Sequence, residues 1–160
     1  MIEIKKFTAT NEEFKEIARI NNLVNHDSID HPDYDKEDWA IRDQSLIRDR
    51  LLLYNEKKLI GLLYYVQGRD ENRKIFFFNI VLNPKYHNNG YRELLYQKML
   101  KKIDANKLVS NVYDHANYRN HQKLLIKHNF KLAQTNREYS CDIRQVNTEK
   151  YQSLIKKLES

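Results

Sequence analysis

Ile80-Val81-Leu82-Asn83-Pro84-Lys85-Tyr86-His87-Asn88-Asn89-Gly90-Tyr91-Arg92 is the stretch that decides the fold. It closes an almost unbroken apolar run from Ile75 to Leu82, which suits a strand buried on both faces. Pro84 ends that strand, because proline has no N–H for a ladder. A polar turn follows. Gly90 then opens a helix in which Tyr91, Leu94, Leu95, Met99 and Ile103 fall at helical spacing. Consecutive backbone N–H groups in such a turn, with the positive end of a helix behind them, make an anion site suited to a pyrophosphate. Taken alone, the segment reads equally well as an ordinary strand–turn–helix.

Upstream, Ile2 to Phe7 alternates as a strand. Thr10 and Glu13 form a capping box, and Phe14, Ile17, Ala18 and Val24 share one helical face. Residues 25–34 are polar and read as a loop, with a second helix after Asp35 that carries Trp39 and Leu46. Leu51–Tyr54 and Leu59–Val66 are strands joined by Asn55-Glu56-Lys57-Lys58. Downstream, Leu108–Val112 reads as a strand and Asn117–His128 as a helix. Phe130–Ala133 and Arg137–Ile143 read as a last hairpin, and Tyr151, Leu154, Ile155 and Leu158 mark a terminal amphipathic helix. Antiparallel strands followed by a βαβ unit predict an α/β (α+β) domain, a mixed twisted sheet of about seven strands with helices on both faces.

In this order the elements resemble the GNAT N-acetyltransferases. That family's cofactor motif is a strand ending Val-x-Pro, then [Arg/Gln]-x-x-Gly-x-[Gly/Ala]. Leu82, Pro84 and Gly90 stand at its aliphatic, proline and central glycine positions. Asn117 to Phe130 is similar to the second signature, an Asn-led helix ending in Gly-Phe, and Lys58-Leu59-Ile60-Gly61-Leu62-Leu63 looks like the third strand. The likeness runs over roughly residues 2 to 143. It implies a sheet splayed between strands 4 and 5, and an enzyme that moves an acetyl group from acetyl-CoA to a small amine or to a protein N-terminus or lysine. Direct attack on the thioester is the implied route, and no metal is implied. Ile80, Val81 and Leu82 would pair with the pantetheine arm. His87, Asn88, Asn89, Gly90, Tyr91 and Arg92 would hold the pyrophosphate, with Asn117 nearby. The N–H near Leu82 would polarise the thioester carbonyl.

The chain also departs from the family. His87 replaces Arg or Gln, and its imidazole can still donate to a phosphate. Arg92 stands where Gly or Ala lets the backbone approach the cofactor, and is expected to turn outward. Leu125 occupies the place of a tyrosine that protonates the leaving thiolate, and residues 75–82 hold no carboxylate to act as base. Tyr113, His115 and Tyr118, beside Asp114 at the end of the fifth strand, are the candidates left for proton transfer, each with a structural role as the plainer reading. His26, Asp27, Asp30, His31, Asp33 and Tyr34 would suit a cationic acceptor or be a solvated loop. The alternative to an active enzyme is a degenerate GNAT domain that binds CoA or a partner without efficient catalysis.

Composition is consistent with both readings. The 160 residues fit one domain, divided as 1–145 for the acyltransferase unit and 146–160 for the terminal helix. Arg137 to Ile143, followed by that helix, resembles the first half of tandem GNAT proteins, so a second GNAT domain or a homodimer is an expected partner. The net charge of +6 is scattered among acids, with no basic and aromatic stripe for nucleic acid. No apolar run approaches the ~20 residues of a membrane span. One cysteine, Cys141, allows no internal disulfide, and the cytoplasm is the expected compartment.

Overall fold

A computed structural model describes residues 1–25, 29–70, 72, 74–113 and 116–135. Met1–Phe130 forms one compact unit. Five strands make one mixed sheet in the order β1 (Ile2–Lys6), β2 (Arg48–Asn55), β3 (Lys58–Gln67), β4 (Ile75–Leu82), β5 (Lys107–Ser110). Neighbours pair antiparallel except β4 and β5, which are parallel. Among the described residues, four α-helices accompany them: α1 (Asn11–Val24), α2 (Pro32–Ile41), α3 (Tyr91–Leu100) and α4 (Arg119–Lys127).

The alternation within the central strands sorts side chains into two cores. Leu51, Leu53, Leu63, Phe76, Phe78 and Ile80 face Leu95, Tyr96 and Met99 of α3 and Leu124 and Leu125 of α4. Leu52, Leu62 and Val81 face Phe14, Ile17, Ile20 and Val24 of α1. Helices therefore cover both faces, as the pattern predicts. The Thr10–Glu13 capping box is present, with Glu13 N–H donating to Thr10 Oγ1 at 3.2 Å and Thr10 N–H to Glu13 Oε2 at 3.1 Å.

Several boundaries differ from the sequence reading. Helix α2 starts at Pro32, which fits a first helical turn, and stops at Ile41, so Leu46 lies outside it. None of its residues is buried. It docks through Trp39, whose ring meets Phe7 edge-on at 4.9 Å and lies 5.0 Å from the Arg50 guanidinium. Asp35 holds Arg50 in a two-pronged pair at 2.5 and 2.6 Å. Helix α3 ends at Leu100, before Ile103. The described sheet has five strands rather than about seven. Residues 130–135 form no strand, because no described neighbour pairs with them. The expected strand at 137–143, the terminal helix and most of the 131–160 stretch lie outside the described residues. Among the described residues, no helix is long and apolar enough to cross a membrane.

Candidate active site

Strand β4 outruns β5. Their ladder stops at Phe78 opposite Ser110, while β4 continues to Leu82 along β3. Asn83 N–H bonds Ile60 O at 2.9 Å, so by alternation Ile80 and Leu82 turn their N–H and C=O groups to the side that β5 has left. The described β4–β5 ladder ends here, at the last residue of β5.

After Leu82, Asn83 caps a short 3-10 turn, Pro84–Tyr86, and the chain enters α3 through Gly90 at φ 73°. A Cβ on Gly90 would touch nothing within 4 Å, so glycine is required there by backbone conformation and not by crowding. No side chain caps α3. The first helical bond runs from Leu94 N–H to Gly90 O at 3.1 Å, leaving the amides of Tyr91, Arg92 and Glu93 without helical partners. Glu93, the acid of the first turn, does not neutralise this end. Its carboxylate is turned to Lys127 at 2.8 Å and His128 at 3.0 Å on α4, and these bonds, the Lys127 one foremost, hold its pKa at about 2. An uncapped helix start at the end of a strand is a place for an anion.

Arg92 does not turn outward. Its side chain is buried, only 5% exposed, and Nη1 donates to Ile80 O at 2.5 Å. The aliphatic stem and planar head fill the seam where a glycine or alanine would leave space. His87 is turned inward too, with Nε2 at 2.9 Å from Leu82 O. A carbonyl only accepts, so Nε2 carries the proton, and the 3.3 Å approach of Arg92 Nη2 to the same nitrogen is a contact between two donors. Burial lowers the His87 pKa, the Leu82 bond opposes this, and the Arg92 charge lowers it further. Burial likewise lowers Arg92 to about 10. Asn88 and Asn89 are exposed, and Tyr91 is half-buried against Tyr86.

The proton-transfer candidates separate. Tyr113 is exposed. Its ring lies 5.2 Å from that of Tyr118, which is buried and gives its hydroxyl proton to Asn25 Oδ1. Burial first, then Tyr113 and Tyr64, push the Tyr118 pKa to about 12, so it keeps its proton at neutral pH. His115, with Asp114, lies outside the described residues. The Asn117 amide donates to Val24 O at 2.9 Å, tying the start of α4 to the end of α1. Leu125 packs in the core between β4, α3 and α4. In the α1–α2 connection, Asp30 is held by Asn21 and Asn22, while His31 caps α2; residues 26–28 are outside the described set.

His121 is fully buried. Its Nε2 lies 2.8 Å from Ser110 Oγ, and its Nδ1 has no partner. The signal was legible: His121 shares a helical stripe with Leu124 and Leu125. A separate hollow of about 610 Å3 lies between α1 and the β2–β3 turn. Of the four carboxylates that line it, Glu13 is engaged in the capping box and Glu16 with Arg19 at 2.8 Å, while Glu12 and Glu56 also face it. The open edge of β4 with its helix start is the better site.

This mixed five-strand sheet with four helices is similar in fold to solved structures of GNAT-family acetyltransferases. No family model and no curated protein matches the sequence. Solved structures do. A possible acetyltransferase from Clostridium difficile 630 has a TM-score of 0.61 at 14% identity, covering 89% of this chain and 99% of that one. A ribosomal-protein-alanine N-acetyltransferase from Brucella melitensis biovar Abortus 2308 gives 0.61 at 12%, covering 88% and 100%. The aminoglycoside N-acetyltransferase AAC(6')-Iy in complex with CoA gives 0.61 at 15%, covering 88% and 95%. Identities of this size establish the fold alone.

Proposed function

We propose that this chain is an acetyl-CoA-dependent N-acetyltransferase acting on a small amine or on a protein N-terminus or lysine. One observation carries the reading: β4 continues past β5 and delivers the chain, through left-handed Gly90, into a helix whose first amides have no cap. Those amides suit the diphosphate of CoA, and the free side of β4 suits an extended arm rich in amides. Bound there, the coenzyme would supply an acyl thioester for attack by an amine. On this reading Leu82 N–H, on the side of β4 away from β3, would donate to the thioester carbonyl oxygen. Similarity in fold to enzymes named for aminoglycosides and for a ribosomal-protein alanine supports an amine acceptor.

A second reading, a domain that binds CoA or a partner with little turnover, is favoured by Arg92 and His87 lying on the β4 carbonyls and by the engaged hydroxyl of Tyr118. Calorimetry with acetyl-CoA, followed by thiol release across a panel of amines and peptides, separates the two. Binding with acceptor-dependent thiol release supports the enzyme, and binding alone supports the second reading. No binding removes both coenzyme readings.

A further inference from the structure

The open side of β4 has four backbone groups to offer beyond the β5 ladder: N–H and C=O of Ile80 and of Leu82. Three are already taken by this chain's own side chains. Asn79 Oδ1 accepts from Ile80 N–H at 2.7 Å, Arg92 Nη1 donates to Ile80 O at 2.5 Å, and His87 Nε2 donates to Leu82 O at 2.9 Å. An extended ligand lying along this edge must displace Arg92 before it can bond Ile80 O.

The guanidinium is poorly satisfied where it sits. It is a cation in the first turn of a helix, whose partial charge there is also positive. No carboxylate among the described residues pairs with it. Nε has no partner, and Nη2 faces only the His87 nitrogen that itself donates to Leu82. The Nε–Nη2 side, the face of an arginine that takes an oxyanion with two parallel bonds, is therefore unfilled. A single neutral carbonyl holds the head in place, and bonds to an ionised acceptor are roughly twice as strong as neutral ones.

We propose that Arg92 is an anion-released latch on β4, closing the strand edge to an uncharged extended ligand and yielding it to one that brings a phosphate oxyanion to the Nε–Nη2 side. Release exchanges the Ile80 bond for a charge-assisted one and frees Ile80 O for an amide of the incoming arm. This rests on the coenzyme reading of the α3 start, so the test needs one arm with coenzyme fragments and one without.

In the first arm, pantetheine and CoA are titrated into the wild-type chain and into Arg92→Ala. Pantetheine has the amide arm and no phosphate. The latch predicts that Arg92→Ala takes pantetheine about tenfold more tightly than wild type does, the worth of roughly one net hydrogen bond. Unchanged or weaker pantetheine binding in Arg92→Ala, with CoA still bound by wild type, overturns it. In the second arm, nitrogen-edited NMR follows the Arg92 guanidinium protons in wild type. The Arg92 Nε–H, which has no partner in the free chain, should move downfield and become more protected from exchange on addition of inorganic pyrophosphate, as it enters a charge-assisted bond. An Nε–H signal unchanged by saturating pyrophosphate overturns the latch. If neither protein binds CoA or pantetheine while pyrophosphate still moves the Arg92 Nε–H signal, the coenzyme reading falls and the latch stands.

Discussion

The imidazole of His121 lies 2.8 Å from the Ser110 hydroxyl, joining the buried side of α4 to the last residue of β5. Burial and then the charge of Arg92 push the His121 pKa from its ordinary 6.5 down to about 3. Between these values only the unfolded chain takes up the proton. The stability owed to His121 is therefore whole above pH 6.5 and is lost as the pH falls toward 3, by about 1.4 kcal/mol per pH unit. Denaturant unfolding of wild type and His121→Gln at pH 7 and pH 5 should show the wild type losing about 1–2 kcal/mol more on acidification. Equal losses would show that His121 is not held neutral.

Gly90 is needed for its φ of 73° and not for space. Gly90→Ala should destabilise by about 1 kcal/mol, and Gly90→Asn by less, since asparagine tolerates the left-handed region. Gly90→Val should be the worst of the three. Urea midpoints at constant m-value give the ranking, and equal effects for alanine and asparagine would contradict it.

Gly61 has the opposite reason. A Cβ there would come to 2.5 Å from Cδ1 of fully buried Leu82 and 3.0 Å from the backbone Val81 O. Gly61→Ala should destabilise by about 1–3 kcal/mol through overpacking. Combined with Leu82→Ala, the loss should be smaller than the sum of the two single losses, because the smaller side chain relieves the clash. Strict additivity would mean that Leu82 is not the residue being pushed.

Asp35 is the counter-charge of a buried arginine. Arg50 is only 7% exposed and lies under Trp39 and Phe7. Asp35→Asn should cost about 2–3 kcal/mol, a little under the usual loss for a broken buried pair, because the Asp35 side chain is itself 25% exposed. Adding Arg50→Met to Asp35→Asn should recover part of it. Thermal unfolding of the three variants checks this, and a silent Asp35→Asn would show that Trp39 stacking alone seats α2.

Much of this architecture was legible because it is local. The run Ile75–Leu82 appears as β4 with those bounds, and Thr10 with Glu13 announced α1. Gly90 announced α3 by the same kind of signal, a residue whose conformation has few substitutes. What stayed hidden depends on partners distant in sequence. Helix α2 has no apolar stripe of its own, and its position follows from Asp35 and Trp39 meeting Arg50 and Phe7. The inward turn of Arg92 could not be read either. It exists because Ile80 O faces a gap, and the gap exists because β5 ends at Ser110.

That inward turn places the edge of β4 under the control of one codon. Every arginine codon becomes a glycine codon by a single change at its first base. A population bearing this gene stands one point mutation from a chain whose Ile80 carbonyl is uncovered, with Asn79 and His87 still on Ile80 N–H and Leu82 O. Selection can open or shut the groove without rebuilding it.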